Sequence, residues 1–264
     1  MKPSTRLNAY LSRGIHMIHG WCSVLDGRIF AALLGIQNQH EFSGSLVEIG
    51  VHHGRSFFVL ALAALPTDQL LAIDLFEDDA INANTPNAGR SWQFMEHCRK
   101  LNLDTNRLRI HKGSSLDVTH QSILAQVGPC RFFSIDGGHM YEDVHHDVLL
   151  AQKTLTDYGI IAIDDFCNRT WPEVTFATHD ALNALEGRLE PFAMTGKLYC
   201  TTPQYAEIYR CRLQKSFAKN VRGTITISGH KTLTLDLSIA SRAIERLRDR
   251  LTGCGSLRRV DVGP

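Results

Sequence analysis

Five short apolar runs, each about a strand long and each set off by a longer amphipathic stretch, constrain this chain more than any other feature. SLVEIG (45–50), LLAIDLF (70–76), RLRIH (107–111), RFFSID (131–136) and GIIAID (159–164) are apolar nearly throughout. Runs without alternation suit strands covered on both faces, as in a parallel sheet. Between them, FFVLALAAL (57–65), SWQFMEHCRKL (91–101) and YEDVHHDVLLAQKTL (141–155) have helical spacing. In the last of these, Val144, Val148, Leu149 and Leu155 fall on one side, opposite acids and histidines. Strand, helix, strand, repeated in this way, predicts a doubly wound α/β sheet with right-handed crossovers.

The rhythm changes beyond residue 190. KLYCTT (197–202) and AEIYRCRL (206–213), joined by Pro203-Gln204-Tyr205, read as two strands of a hairpin. GTITISGHKTLTLD (223–236) alternates Thr with Ile or Leu around Ser228-Gly229-His230 and reads as a second hairpin. SIASRAIERLRDRL (238–251) reads as a helix with Ile239, Ala243, Ile244, Leu247 and Leu251 inward, stopped by Gly253. Residues 1–43 read as a helical lead-in, RIFAALLGIQNQH (28–40) being the clearest piece. The chain thus divides into a lead-in (1–43), a central α/β domain (44–213) and a C-terminal hairpin and helix (214–264).

In open parallel sheets ligands bind beyond the carboxyl ends of the strands, so the residues that follow each run carry the functional reading. The first run ends in Glu48-Ile49-Gly50-Val51-His52-His53-Gly54 before a helix that starts near Arg55-Ser56. Its two glycines let backbone amides approach a ligand; a plain turn feeding a helix N-cap is the lesser alternative. His52 stands where the dinucleotide-binding fingerprint has its second glycine, which weakens a pyrophosphate reading. Asp74, ending the second run, is placed to take the hydroxyls of a ribose. Gly113-Ser114-Ser115-Leu116-Asp117 after the third is a polar turn able to edge an adenine. The fourth and fifth runs end in Asp136 and in Asp164-Asp165. Three carboxylates brought together there repel one another unless something positive lies among them, and Mg²⁺ or another hard divalent ion fits such a set of oxygens. His139, three residues past Asp136, is then placed to act as general base on a substrate hydroxyl.

These residues together resemble class I S-adenosylmethionine-dependent methyltransferases. Glu48-x-Gly50, Asp74, the block Ile135-Asp136-Gly137-Gly138-His139-x-Tyr141 and the block Gly159–Phe166 are similar, more narrowly, to the metal-dependent macrocin- and mycinamicin-type sugar O-methyltransferases. The resemblance covers about residues 44–213. It implies a Rossmann-like, mostly parallel sheet of seven strands whose last pair is reversed. It implies S-adenosylmethionine held by Glu48, Gly50, Val51, His52, Gly54, Ser56, Asp74, Ser114, Ser115 and Asp136, and Mg²⁺ held by Asp136, Asp164 and Asp165. His139, with Asp136, would be catalytic, and the acceptor a hydroxyl of a glycoside or polyol. The polar loop 77–90, with Asn82, Asn84, Pro86, Asn87 and Gly89, reads as a lid.

Other classes fit less well. A formal net charge of +1 gives no global field for nucleic acid or an anionic membrane, and no apolar run spans a bilayer. Seven scattered cysteines without a CxxC pair suit reduced thiols in the cytoplasm. A dinucleotide-dependent oxidoreductase and a non-catalytic scaffold of the same fold are the rival readings. The lead-in and the C-terminal extension are the expected places for contact between subunits of a homodimer or larger homo-oligomer.

Overall fold

A computed structural model describes residues 4–77 and 89–252. The lead-in forms α1 (Thr5–Ser12), a 3₁₀ turn (Gly14–Met17) and α2 (Val24–Gln39). The five predicted runs become β1 (Ser45–Ile49), β2 (Leu70–Asp74), β3 (Leu108–Lys112), β4 (Cys130–Ile135) and β5 (Leu155–Ile163), all parallel to their neighbours in this group. They alternate with α3 (Phe57–Ala63), α4 (Ser91–Lys100), α5 (His120–Val127) and α6 (Tyr141–Thr154), and α7 (Pro172–Ala184) follows β5. β1, β4 and most of β5 are buried on both faces, as continuous apolar runs require. β3 departs from this pattern: it ends the sheet, and four of its five residues are at least partly exposed.

One face of the sheet packs on α1, α2 and α3, with Leu7, Tyr10, Ile29, Phe30, Leu33, Phe57 and Phe132 in a single apolar cluster. The other packs on α5, α6 and α7 around Val47, Ile73, Phe133, Val148 and Ile161. The lead-in is therefore part of the core layer and covers one face of the sheet.

The C-terminal part corrects two expectations. AEIYRCRL is not a strand but lies within α8 (Pro203–Ser216). Its buried residues Ala206, Tyr209, Arg210 and Leu213 recur at helical spacing, and Pro203 sits at the first helical position, where its fixed φ and missing N–H cost nothing. The strand reversed against β7 (Leu198–Thr201) is instead β6 (Glu190–Met194), and Pro191 lies where the register between the two shifts.

Among the described residues the sheet has nine strands in the order β3-β2-β1-β4-β5-β7-β6-β9-β8, not seven. The predicted second hairpin forms as β8 (Val221–Ile227) and β9 (His230–Leu235), turning at Ser228 and Gly229 with positive φ of 47° and 82°. β9 then adds to β6 in parallel and extends the sheet.

The final helix, α9 (Ile239–Leu251), faces the opposite way from the expectation. Ala243, Ile244, Leu247 and Leu251 are exposed. Its polar side is the one that docks: Asp249 accepts from Arg55 Nη2 at 3.0 Å and lies 2.7 Å from His16 Nδ1, and Glu245 accepts from the Val24 amide. Gly253 and most of the loop read as a lid lie outside the described residues. Among the described residues no helix is long and apolar enough to cross a membrane.

Candidate active site at the strand ends

Parallel pairing brings the ends of β1, β4 and β5 together. The Asp136 amide donates to Ile49 O and the Asp164 amide to Ile135 O, each at 2.9 Å, so the ladder continues into both acids. Gly50 is required by this closeness. A Cβ on it would lie 1.7 Å from the carbonyl oxygen of Asp136, and its φ is +81°. The turn after β1 and the acid after β4 are thus in direct backbone contact. Gly138 is held by the same economy of space, since a Cβ there would meet the Asp143 carboxylate at 2.2 Å. Glycine between Asp136 and His139 lets the chain pass close to α6 and return the imidazole to the strand ends.

There, one ligand-capable atom from each of Asp136, His139 and Asp165 lies within 4.8 Å of the other two. His139 Nε2 is 3.0 Å from Asp165 Oδ2, and the imidazole stacks on Trp171 with ring centres 4.5 Å apart. Asp165 reaches this position with a left-handed φ of 54°, a strained conformation of the kind that clusters at functional sites. Its carboxylate also accepts from Asn168 Nδ2. Burial alone would raise the Asp165 carboxyl, yet the hydrogen bond from His139, followed by that from Asn168, holds it below the usual range.

Asp164 takes a different course. Its carboxylate pairs with the ammonium of Lys197, which also lies 3.7 Å from Asp136 Oδ2. The Lys197 side chain is 2% exposed, against 17–25% for the three acids and His139. Lys197 is therefore a buried counter-ion and not a group that meets a substrate. Burial works to lower its pKa, but the neighbouring Asp164 and Asp136 raise it well above the ordinary lysine value. Asp136 is pushed well up, first by burial and then by the Asp164 charge. A single lysine against three carboxyl groups leaves the cluster electronegative.

Sequence reasoning missed Lys197. The available signal was strand register: β7 runs antiparallel to β5 with Leu198 opposite Ile163, which sets Lys197 beside Asp164.

The residues expected to hold the cofactor separate into two groups. Gly50, His52 and Asp74 meet at the mouth of the sheet. The His52 amide donates to Asp74 Oδ2 at 2.7 Å and the Phe76 amide to Asp74 Oδ1 at 2.6 Å, while burial raises the Asp74 carboxyl. Glu48, Val51, Ser56 and Ser115 lie behind this surface. Glu48 is fully buried and accepts from Ser134 Oγ at 3.1 Å, with Ser56 beside it; burial pushes its carboxyl up to about 8. Val51 is in the core, and Ser115 is turned toward the buried Asp147. Ser114 caps a short 3₁₀ turn by accepting from the Leu116 amide. Gly54 packs against the Phe58 ring, where a Cβ would come within 2.3 Å.

Residues 47–166 match a family model described as "Methyltransferase domain". No curated protein sequence matches the chain. Among solved structures the chain is similar to the O-methyltransferase NovP, with 16% identity, a TM-score of 0.56, and 67% of this chain and 80% of that one covered. It is similar to the O-methyltransferase TomG from Streptomyces achromogenes, solved with SAM, at 16% identity and a TM-score of 0.52, covering 76% and 91%. Cofactor-bound Rv0187 from MTB has 15% identity and a TM-score of 0.53, covering 75% and 90%. At such identities the structures share the fold.

Proposed function

We propose that this chain, whose residues 47–166 match a model described as a methyltransferase domain, is an S-adenosylmethionine-dependent O-methyltransferase. Its acceptor is a hydroxyl of a glycoside or other polyhydroxylated small molecule, and Mg²⁺ or another hard divalent ion assists it. The observation that carries the reading is the Asp136, His139 and Asp165 group at the strand ends, against the Gly50 turn.

S-Adenosylmethionine, when bound, supplies an electrophilic methyl on a sulfonium. The groups that fit it are the turn at Gly50–His52 and the Asp74 carboxylate at the end of β2. A divalent cation supplies charge that stabilises a developing alkoxide. Asp136 and Asp165 would hold it, with Asp164, paired to Lys197, beside them. The excess of carboxyl groups over lysine suits such an ion.

The protein's own part in catalysis is proton transfer and alignment. With the Nε2 proton of His139 directed at Asp165 Oδ2, the lone pair lies on Nδ1, which takes the proton of the acceptor hydroxyl. Asp165 then stabilises the imidazolium, and the stacked Trp171 holds the ring in plane. The sugar-type acceptor rests on the resemblance of the two acidic blocks to the macrocin and mycinamicin enzymes. A cytoplasmic location accords with the free thiols of Cys22, Cys98, Cys130, Cys167, Cys200 and Cys211.

The test is calorimetric titration with S-adenosylhomocysteine in Mg²⁺ and again in EDTA, followed by a glycoside and polyol panel scored for methyl gain by mass. Micromolar binding in both buffers, with methylation only in Mg²⁺, is expected. His139→Ala and Asp165→Asn should each lower turnover by roughly 100-fold or more while leaving S-adenosylhomocysteine affinity in place. Absence of binding overturns the methyltransferase reading, and turnover in EDTA overturns the metal.

A further inference from the structure

A second cluster of metal-ligating side chains lies apart from the acids, on the other side of the turn after β1. His19, in the segment between the 3₁₀ turn and α2, approaches His52 and His53, and one ring nitrogen from each lies within 4.8 Å of the other two. The ring centres of His52 and His53 are 3.9 Å apart, and His19 lies 5.2 and 5.7 Å from them. All three are half-buried. His19 Nδ1 and His53 Nε2 are shielded from solvent and have no hydrogen-bond partner among the described residues. Imidazoles gathered for simple ring packing would be expected to turn such nitrogens toward water or a partner.

We propose that His19, His52 and His53 form a site for a transition-metal cation of the zinc type, which fastens the lead-in to the turn after β1. Three imidazoles suit zinc, cobalt, nickel or copper and disfavour magnesium or calcium, whose ligands are oxygens. Zinc–nitrogen bonds of about 2.0–2.1 Å place tetrahedral ligand atoms roughly 3.3 Å from one another.

The surroundings admit a cation. The nearby Arg55 is matched by Asp249, and the Asp74 carboxylate lies against the His52 amide. His97 Nδ1 bonds the His53 carbonyl oxygen at 3.0 Å, and Trp21 packs its ring 5.2 Å from His52 and 5.6 Å from His19. Three protein ligands leave a fourth position for water, as three-histidine sites do.

The consequence lies in the turn itself. His52 and His53 lie between Gly50 and Gly54, so an ion here fixes the backbone that also bonds Asp74. His19 itself meets this turn through ring contacts.

The test uses the full chain, dialysed against a chelator and then metal-free buffer, and titrated with Co²⁺ by visible absorption and with Zn²⁺ in competition. One equivalent of zinc, with the absorption of four-coordinate cobalt, is expected. His19→Ala and His53→Ala should each weaken binding at least 100-fold, whereas Asp165→Asn should retain it. Wild-type protein that binds no zinc at about 10 µM overturns the site. So does binding that survives the histidine variants, or that is lost in Asp165→Asn. X-ray absorption of the zinc-loaded wild type decides independently of variant folding: three imidazole scatterers support the site, and a carboxylate-rich shell sinks it. Neither result depends on whether S-adenosylhomocysteine binds.

Discussion

At the scale of single residues, the site is governed by how buried charges are compensated. Glu48 has little compensation: it is fully buried, its carboxyl rises to about 8 against an ordinary value of 4.5, and the serines beside it reduce that rise without cancelling it. A carboxyl whose folded pKa exceeds its unfolded pKa contributes stability that is complete below the unfolded value and is lost as pH rises through the folded one. Between about pH 5 and pH 8 the loss has a slope of roughly 1.4 kcal/mol per pH unit. Glu48→Gln, which does not titrate, should therefore flatten the fall in unfolding free energy measured by urea denaturation across that window. Parallel pH profiles for wild type and variant would show instead that Glu48 is ionised in the fold. Lys197 is the opposite case, a buried cation balanced by Asp164 and Asp136. Lys197→Met leaves those carboxyl groups without their counter-ion and should cost roughly 3 kcal/mol of stability in EDTA. Added Mg²⁺ should recover most of the lost thermal stability; a variant indifferent to Mg²⁺ would place the ion elsewhere. Asp136, Asp164 and Asp165 were legible because they close apolar runs, and His139 because it follows Asp136 by three residues. Lys197 was not, because its partner is 33 positions away in sequence (197 less 164) and only the antiparallel register of β7 on β5 brings them together.

At the scale of elements, legibility followed burial on both faces. β1, β2, β4 and β5 announce themselves as unbroken apolar runs because helices cover both of their sides. AEIYRCRL misled because Tyr209, Cys211 and Leu213 alternate with Arg210 and Arg212, which satisfies period two over a short stretch. The helical period shows only when Ala206 and Arg210 are counted among the buried positions. β6 was hidden by Pro191. The elements are also joined by a buried group with no periodic signature. Arg131 on β4 is 0% exposed and donates to Asp68 Oδ2 at 2.6 Å, just before β2, and to Gln37 Oε1 on α2 at 2.9 Å. Gln37 returns a bond to the Arg131 carbonyl at 2.9 Å. This network ties the lead-in to the amino-terminal edge of the sheet, opposite the strand ends that carry the chemistry. Removing one member strands a buried charge, which costs more than the pair gains. Asp68→Ala should lose about 3–5 kcal/mol in urea unfolding, with kcat of the folded fraction little changed. A loss below about 1 kcal/mol would mean that water reaches Arg131.

At the scale of the whole molecule, the last helix is built inside out. Glu245 and Asp249 turn inward to Val24, His16 and Arg55, while Ile244, Leu247 and Leu251 stand 53–78% exposed in a stripe at positions i, i+3 and i+7. A helix facing only water has no use for such a stripe, and the same extension also exposes Ile225 on the terminal strand β8. Spacing alone predicted burial of these residues in their own chain. The polar anchors on the opposite side decide otherwise, because the Asp249 carboxylate is the partner that the buried Arg55 guanidinium needs. We propose that a second copy of the chain covers the stripe, helix against helix, as heptad-like spacing favours. Light scattering after size exclusion should then give a dimer or larger assembly at micromolar concentration. Leu247→Glu combined with Leu251→Glu should shift it to monomer with little change in Tm, since neither side chain packs on its own core. A wild-type monomer at every concentration would overturn the assembly. An assembly that survives both glutamates would move the contact from α9 to the edge strand β8, where added charge at Ile225 would be the deciding substitution.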